Sequence, residues 1–231
     1  MSKRRFKAIF FDLDGTLVDI HGPLYLAARK ALESLGHTPQ LTRAHYWDSL
    51  ARSDMTMGLP PHLASDYAKL AFAYFVAEID ATERLEVLPH VAETLAELKR
   101  RDYETGVITS RPGDPTRLVE KLAMVGLASH LDHVVTQSTA TLKALDKTES
   151  LKRTAIKASA HPRTCIYVGD EPRDVMAAAN AGYGAIISVA TGPASYEFLS
   201  NLPEFRPHRV MRSMAELLSV VEQLEDQRID S

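Results

Sequence analysis

Residues 8–16 read Ala8-Ile9-Phe10-Phe11-Asp12-Leu13-Asp14-Gly15-Thr16: four apolar residues run without a break into two acids and a glycine. A short continuous apolar run closed by turn residues fits a strand buried on both faces, as strands of parallel sheets are. Working outward, the same kind of run recurs at Thr105 to Ile108, Val134 to Thr136, Cys165 to Val168 and Ala185 to Val189. Amphipathic stretches separate these runs. Val91, Leu95 and Leu98 share one helical stripe, as do Leu118, Leu122 and Val125, and again Met214, Leu217, Val221 and Leu224. Asp114 before Pro115 supplies an N-cap followed by a first-turn proline, so a helix is expected to begin there. Strands alternating with helices predict an α/β fold with a doubly wound, parallel-sheet, Rossmann-like core.

One segment breaks the alternation. From about Asp19 to about Leu88 only helical pattern is found, over Pro23 to Leu35, Thr42 to Arg52 and Pro61 to Ile79. In the last of these, Leu63, Tyr67, Leu70 and Tyr74 form a stripe that Ala71 and Phe75 widen. Pro60 and Pro61 separate this helix from its predecessor. The expected organisation is a core of residues 1–18 and 86–231 carrying a small α-helical insert, residues 19–85, after the first strand, with edges near Leu17 to Ile20 and Leu85 to His90.

Composition limits the function. The 231 residues carry 27 Lys+Arg against 30 Asp+Glu, a net charge of -3, so no basic surplus supports a nucleic-acid surface. Hydrophobic residues at 45% and charged residues at 25% are ordinary for a soluble globular chain and exclude disordered and fibrous classes. The single Cys165 excludes an internal disulfide, and no apolar run is long enough to span a membrane. The basic start Ser2-Lys3-Arg4-Arg5 leads into an apolar stretch that Asp12 and Asp14 cut short, so no export signal is read and a cytoplasmic setting is expected.

The chemistry lies at strand ends, where open α/β sheets hold their ligands. Asp12 and Asp14 are two apart in extended chain and share a side, and Gly15 lets the chain turn away. An isolated Asp-Gly is also an ordinary turn. Ile166-Tyr167-Val168-Gly169-Asp170-Glu171-Pro172-Arg173-Asp174 is a second buried strand ending in acids. If the two ends adjoin, Asp12, Asp14, Asp170 and Asp174 converge, and clustered carboxylates raise one another's proton affinity unless a cation neutralises them. An all-oxygen ligand set without matched Cys or His favours magnesium over zinc, and magnesium binds through a few carboxylates plus substrate phosphate. Thr109 and Ser110 end a third strand and offer hydroxyls to phosphate, although such residues also close turns. Lys147 opens a helix-like stretch and could bring positive charge.

This set, Asp12 to Thr16, the run into Thr109-Ser110, a lysine and Gly169 to Asp174, resembles the haloacid dehalogenase superfamily in its phosphatase branch. The helical insert resembles the small mobile cap of phosphoglycolate phosphatase-like members. The resemblance implies that Asp12 is the nucleophile that becomes an aspartyl phosphate. It implies that Asp14 protonates the leaving alcohol and then activates water. Thr109 and the Ser110 backbone would hold phosphate oxygens, and Lys147 would offset charge. Magnesium would be held by Asp170, the Asp12 carboxylate, the Asp14 main-chain carbonyl, and Asp174 directly or through water. Ser110 stands where many relatives carry Asn, and a Lys-Pro pair is missing, so Lys143, Lys147 and Lys152 compete for the lysine role; Lys147 is chosen because a helical run follows it. The expected activity is magnesium-dependent hydrolysis of a small phosphorylated metabolite, phosphoglycolate-like, sugar or nucleotide phosphate, by a monomer or homodimer. A phosphomutase, or a receiver-like phosphoacceptor switch, uses similar groups; the insert and Asp14 oppose the switch.

Other features carry less. Gly182 and Gly184 lack a third glycine, since Ile187 stands in its place, so the dinucleotide fingerprint fails. His130 and His133 have no third ligand nearby, and Cys165 reads as a buried small hydrophobe. Tyr46 and Trp47 are expected in the core of the insert, while Arg111 and His21 flank the site as candidate substrate contacts, with a solvated surface position the alternative for each.

Overall fold

The computed structural model describes residues 4–37, 41–51, 57, 59–138 and 146–227. Among them, β1 (Ala8–Phe11), β2 (Glu104–Pro112), β3 (His133–Gln137), β4 (Cys165–Gly169), β5 (Ala185–Val189) and β6 (Arg209–Met211) make one sheet in the order β3-β2-β1-β4-β5-β6. All neighbours pair in parallel. The chain steps outward from β1 to β3, then returns to lay β4 on the other side of β1. That reversal makes the carboxyl ends of β1 and β4 a topological switch point. Phe11 stands opposite both Val107 and Val168, so the chain leaves β1 and β4 at the same level.

Alternation along the strands divides the core into two layers. Ile9, Phe11, Val107, Ile166, Val168 and Ile187 face α4 (Val91–Arg100), α5 (Pro115–Met124) and α9 (Leu217–Asp226). Ala8, Phe10, Ile108, Cys165, Tyr167 and Ile186 face α6 (Thr148–Lys157), α7 (Pro172–Ala181) and α8 (Tyr196–Ser200). Both faces are dry, which is why the strands read as unbroken apolar runs. Asp114 caps α5 by accepting from the Thr116 N–H at 2.8 Å, as the Asp-Pro pair predicts.

The helical segment holds α1 (His21–Ser34), α2 (Arg43–Ala51) and α3 (Pro61–Ala81) around a small core of its own, including Ala28, Ala31, Leu32, Tyr46, Leu50 and Tyr67. Its two connections to the sheet run side by side. Val18 bridges Val87, the Asp19 N–H donates to the Glu86 carbonyl at 2.8 Å, and the Leu88 N–H donates to the Leu17 carbonyl at 3.0 Å. No described helix is long and apolar enough to cross a membrane.

Several boundaries differ from the sequence reading. Helix α1 starts at His21 rather than Pro23, because Asp19 Oδ1 accepts the His21 N–H at 2.8 Å and Pro23 is tolerated in the first turn. Strand β2 runs on to Pro112, where a register irregularity lets Pro112 pair with Gln137. Strand β6 and helix α8 were not expected; three and five residues are too short for a periodic signal. Arg52 lies outside the described residues.

Candidate active site

The Asp12 N–H donates to the Val168 carbonyl at 2.8 Å, extending the β1–β4 pairing one step beyond the strand. The chain then curls tightly: the Leu17 and Val18 N–H groups both donate to the Leu13 carbonyl, at 2.9 and 3.0 Å. Gly15 takes φ 79°, the left-handed region, and a Cβ there would overlap Asp170 Oδ2. Gly192, in the loop after β5, crowds the same oxygen so closely that any side chain would collide with it. Thr191 ties that loop to the first one by donating to the Gly15 carbonyl at 2.6 Å. Two glycines therefore make room for the Asp170 carboxylate, whose Oδ1 accepts from Thr16 at 2.9 Å.

Asp12, Asp170 and Asp174 each bring a carboxylate oxygen within 4.8 Å of the others, all buried. Lys147, only 2% exposed, places Nζ 2.6 Å from Asp12 Oδ1 and 2.7 Å from Asp174 Oδ1. Tyr167 lies beneath, its hydroxyl 3.4 Å from Nζ and donating to the Ile108 carbonyl at 3.3 Å. Asp174 Oδ2 accepts the Glu171 N–H at 3.1 Å as half of a reciprocal capping box that starts α7. Both Asp174 oxygens are thus occupied. Asp170 Oδ2, by contrast, is buried without a hydrogen-bond partner.

A second charge pair lies beside the first. The Arg111 guanidinium grips Asp14 with Nη2 to Oδ1 at 2.6 Å and Nε to Oδ2 at 2.9 Å. The Arg111 N–H is itself held by the buried Thr109 Oγ1 at 3.1 Å. Asp12, Asp14, Thr109, Ser110, Arg111 and Lys147 all line one cavity.

Electrostatics follow from this packing. Burial pushes the Asp12 carboxyl up to about 7; Lys147 opposes the rise, and Asp174 and Asp14 add to it. Burial also carries Asp170 well above the ordinary carboxylate value, reinforced by Glu171, Asp12 and Asp174 against the Thr16 hydrogen bond. For Lys147 burial acts downward, but Asp12 and Asp174 outweigh it and hold the ammonium above the usual lysine value.

Residues 6–182 match the family model for haloacid dehalogenase-like hydrolases. The chain belongs to this hydrolase family. It is 29% identical over 238 residues to a phosphoglycolate phosphatase of Haemophilus influenzae, covering 94% of this chain and 99% of that one. It is 26% identical over 230 residues to the pyrophosphatase PpaX of Bacillus velezensis, covering 95% and 98%. Among solved structures, a haloacid dehalogenase-like family hydrolase from Streptococcus pneumoniae superposes with TM-score 0.69 at 20% identity, over 94% of this chain and 98% of that one. A HAD-superfamily hydrolase from Geobacter sulfurreducens gives 0.58 at 20%, over 94% and 97%. These two share the fold.

In this hydrolase all eight expected site residues gather at the carboxyl ends of β1, β2 and β4 or at the starts of α6 and α7. Lys152 pairs instead with Glu149 on the surface at 3.0 Å, and Lys143 lies outside the described residues. His21 pairs with Asp19 and meets Trp47 edge-on at 4.3 Å; Tyr46 is buried in the helical core and also lines the cavity. His133 pairs with Glu104 at 3.3 Å, and Cys165 is fully buried. Sequence reading missed Thr16, Tyr167, Glu171, Arg173 and the Thr191-Gly192 loop. Thr191-Gly192-Pro193 follows a strand, the one signal available, but only the β4–β5 adjacency brings it to Asp170.

Proposed function

We propose that the chain is a phosphatase that hydrolyses a small phosphomonoester with magnesium, through an aspartyl phosphate on Asp12. The observation that carries this reading is the meeting of Asp12, Asp170 and Asp174 within 4.8 Å beside one buried lysine. The residues fit a hard divalent cation: the donors are all oxygens, and Asp170 Oδ2 is a buried acceptor that nothing in the protein satisfies. Asp12, Asp170 and the Asp14 main-chain carbonyl would hold the ion, which supplies neutralisation of phosphoryl charge when bound. Asp174, occupied on both oxygens, acts by orienting Lys147 and α7.

The protein's own groups account for the rest. Lys147 favours the ionised Asp12, which attacks phosphorus while the ester oxygen leaves with a proton from Asp14. Asp14 then takes a proton from the water that cleaves the acyl phosphate, so the two half-reactions share one acid-base group. Thr109 and Ser110 hold phosphate oxygens. Arg111, now on Asp14, lies where an entering phosphate competes for its guanidinium, and that exchange frees the Asp14 carboxyl to act. Residues 19–85 serve as a cap that keeps bulk water from the intermediate. The test is steady-state hydrolysis of a generic phosphomonoester with magnesium: Asp12→Asn and excess chelator should each abolish turnover, and release of inorganic phosphate every cycle separates a phosphatase from a phosphomutase. Full activity in Asp12→Asn would defeat the mechanism.

A further inference from the structure

A cavity of about 240 Å³ runs from the carboxylate cluster into the helical segment, and its walls divide by origin. The charged lining, Asp12, Asp14, Arg111, Lys147, Glu171 and Arg173, comes from the sheet ends and the helices that follow them. Among the described residues, those contributed by positions 20–79 are all apolar or aromatic, including Leu24, Tyr46, Tyr67, Phe72, Phe75 and Ile79. The polar side-chain atoms on that wall are two tyrosine hydroxyls, with no acid, base or amide among the described residues.

The nearby cations are also committed. Lys147 binds Asp12 and Asp174, Arg111 passes from Asp14 to the entering phosphate, and Arg173 binds Glu171. A phosphate held at Asp12 therefore projects its ester group toward a surface that rewards hydrocarbon and that, among the described residues, offers no counter-ion to a second anion. Burying an unpaired carboxylate costs far more than burying its carbon atoms returns. The volume exceeds the roughly 150 Å³ of an apolar cavity that admits benzene, so one ring or a short branched chain fits beside the phosphate.

Building on the phosphatase reading, we propose that the substrate's alcohol is compact, apolar and uncharged: an alkyl or single-ring phosphomonoester. Phosphoglycolate and pyrophosphate, for which the relatives above are named, both carry a second anion. They are poor fits to this wall.

The experiment compares kcat/KM of the magnesium-loaded enzyme on methyl, propyl, pentyl and benzyl phosphate, esters of alcohols of similar acidity, against phosphoglycolate and pyrophosphate. Specificity should climb by roughly fourfold per methylene until the cavity is filled. Benzyl phosphate should exceed phosphoglycolate by about a hundredfold or more, as expected when a polar group is left unpaired. A flat alkyl series, or phosphoglycolate or pyrophosphate equal to benzyl phosphate, overturns the proposal while leaving the phosphatase reading intact. Absence of turnover on every compound sinks both. Phe72→Ala should cut the benzyl-to-methyl ratio by about tenfold, and Ala71→Lys should raise the phosphoglycolate-to-benzyl ratio. Ratios do not depend on the folded fraction, so an unchanged ratio in both variants counts against the proposal even where a variant is unstable.

Discussion

Lys147→Met removes one charge while keeping most of the aliphatic length that packs over Tyr167. The residue is 2% exposed, and its ammonium lies 2.6 and 2.7 Å from carboxylates of Asp12 and Asp174. Removing one member of such a group leaves buried acids without a counter-charge, which costs about 3–5 kcal/mol. Against a total stability of about 5–15 kcal/mol, that is about a fifth or more. The loss should be greatest near neutral pH and shrink in acid, where the carboxyls escape by taking up protons. The assay is urea unfolding in chelator, followed by circular dichroism and by Trp47 fluorescence. With a slope of about 2–3 kcal/mol per molar, the midpoint should fall by about 1–2.5 M. Lys152→Met is the control: its partner Glu149 is 71% exposed, and exposed pairs contribute about 0–1 kcal/mol, so its midpoint should hardly move. If Lys147→Met unfolds within 1 kcal/mol of the parent at pH 7.5, or no differently from Lys152→Met, the reasoning about the buried cluster is wrong.

Three further outcomes are expected. Gly192→Ala should weaken magnesium binding by about tenfold or more in titration calorimetry, because its Cβ displaces the Asp170 carboxylate and a poorly placed ligand costs at least as much as a lost supporting contact; unchanged affinity would show that Asp170 is not a ligand. Arg111→Met removes the guanidinium that an entering phosphate takes over from Asp14 and should lower kcat/KM by about 10- to 150-fold, the worth of a charged hydrogen bond of about 1.5–3 kcal/mol, so a variant as fast as the parent would show that Arg111 does not hold the phosphate. In chelator, the raised Asp12 and Asp170 contribute stability that is complete below their unfolded value near 3.8 and fades as pH rises through about 7 for Asp12. Lys147, raised above its unfolded value, contributes evenly across that window, and the lowered Asp132 acts at more acid pH. Urea midpoints should therefore fall between pH 5 and 7.5 without magnesium and recover with it; a midpoint that rises over this range in chelator contradicts the cluster.

The strands of the core were legible because both sheet faces are buried, so Phe10 and Phe11 are apolar for opposite neighbours and the run is unbroken. The gathering of Asp12 and Asp170 was legible too, since Asp12 directly follows such a run and Asp170 follows one after a single glycine. What local pattern could not carry was the pairing of groups across the sheet. Thr16 on Asp170, Arg111 on Asp14 and Gly192 against Asp170 span 154, 97 and 22 residues of chain. None has a periodic signature, because each depends on which strand lies beside which. The choice among lysines illustrates the limit: Lys147 and Lys152 flank the same helical turn, and only burial separates a site residue from a surface pair.

Charges at the strand ends fall into two groups with different consequences. Asp14 and Arg111 neutralise each other and cost little to hold together. Asp12, Asp170 and Asp174 with Lys147 carry three negative charges and one positive, a net of -2 when fully ionised. In the protein alone that excess can be relieved only by protons, which is why Asp12 and Asp170 are driven upward. A single divalent ion cancels the excess; a monovalent ion leaves half of it. If a divalent ion occupies the site, its loading and the ionisation of Asp12 are one linked equilibrium, with protons released as the ion binds and affinity rising with pH. With its carboxyl pushed up to about 7, Asp12 is only partly ionised near neutral pH, and further counter-charge completes the ionisation.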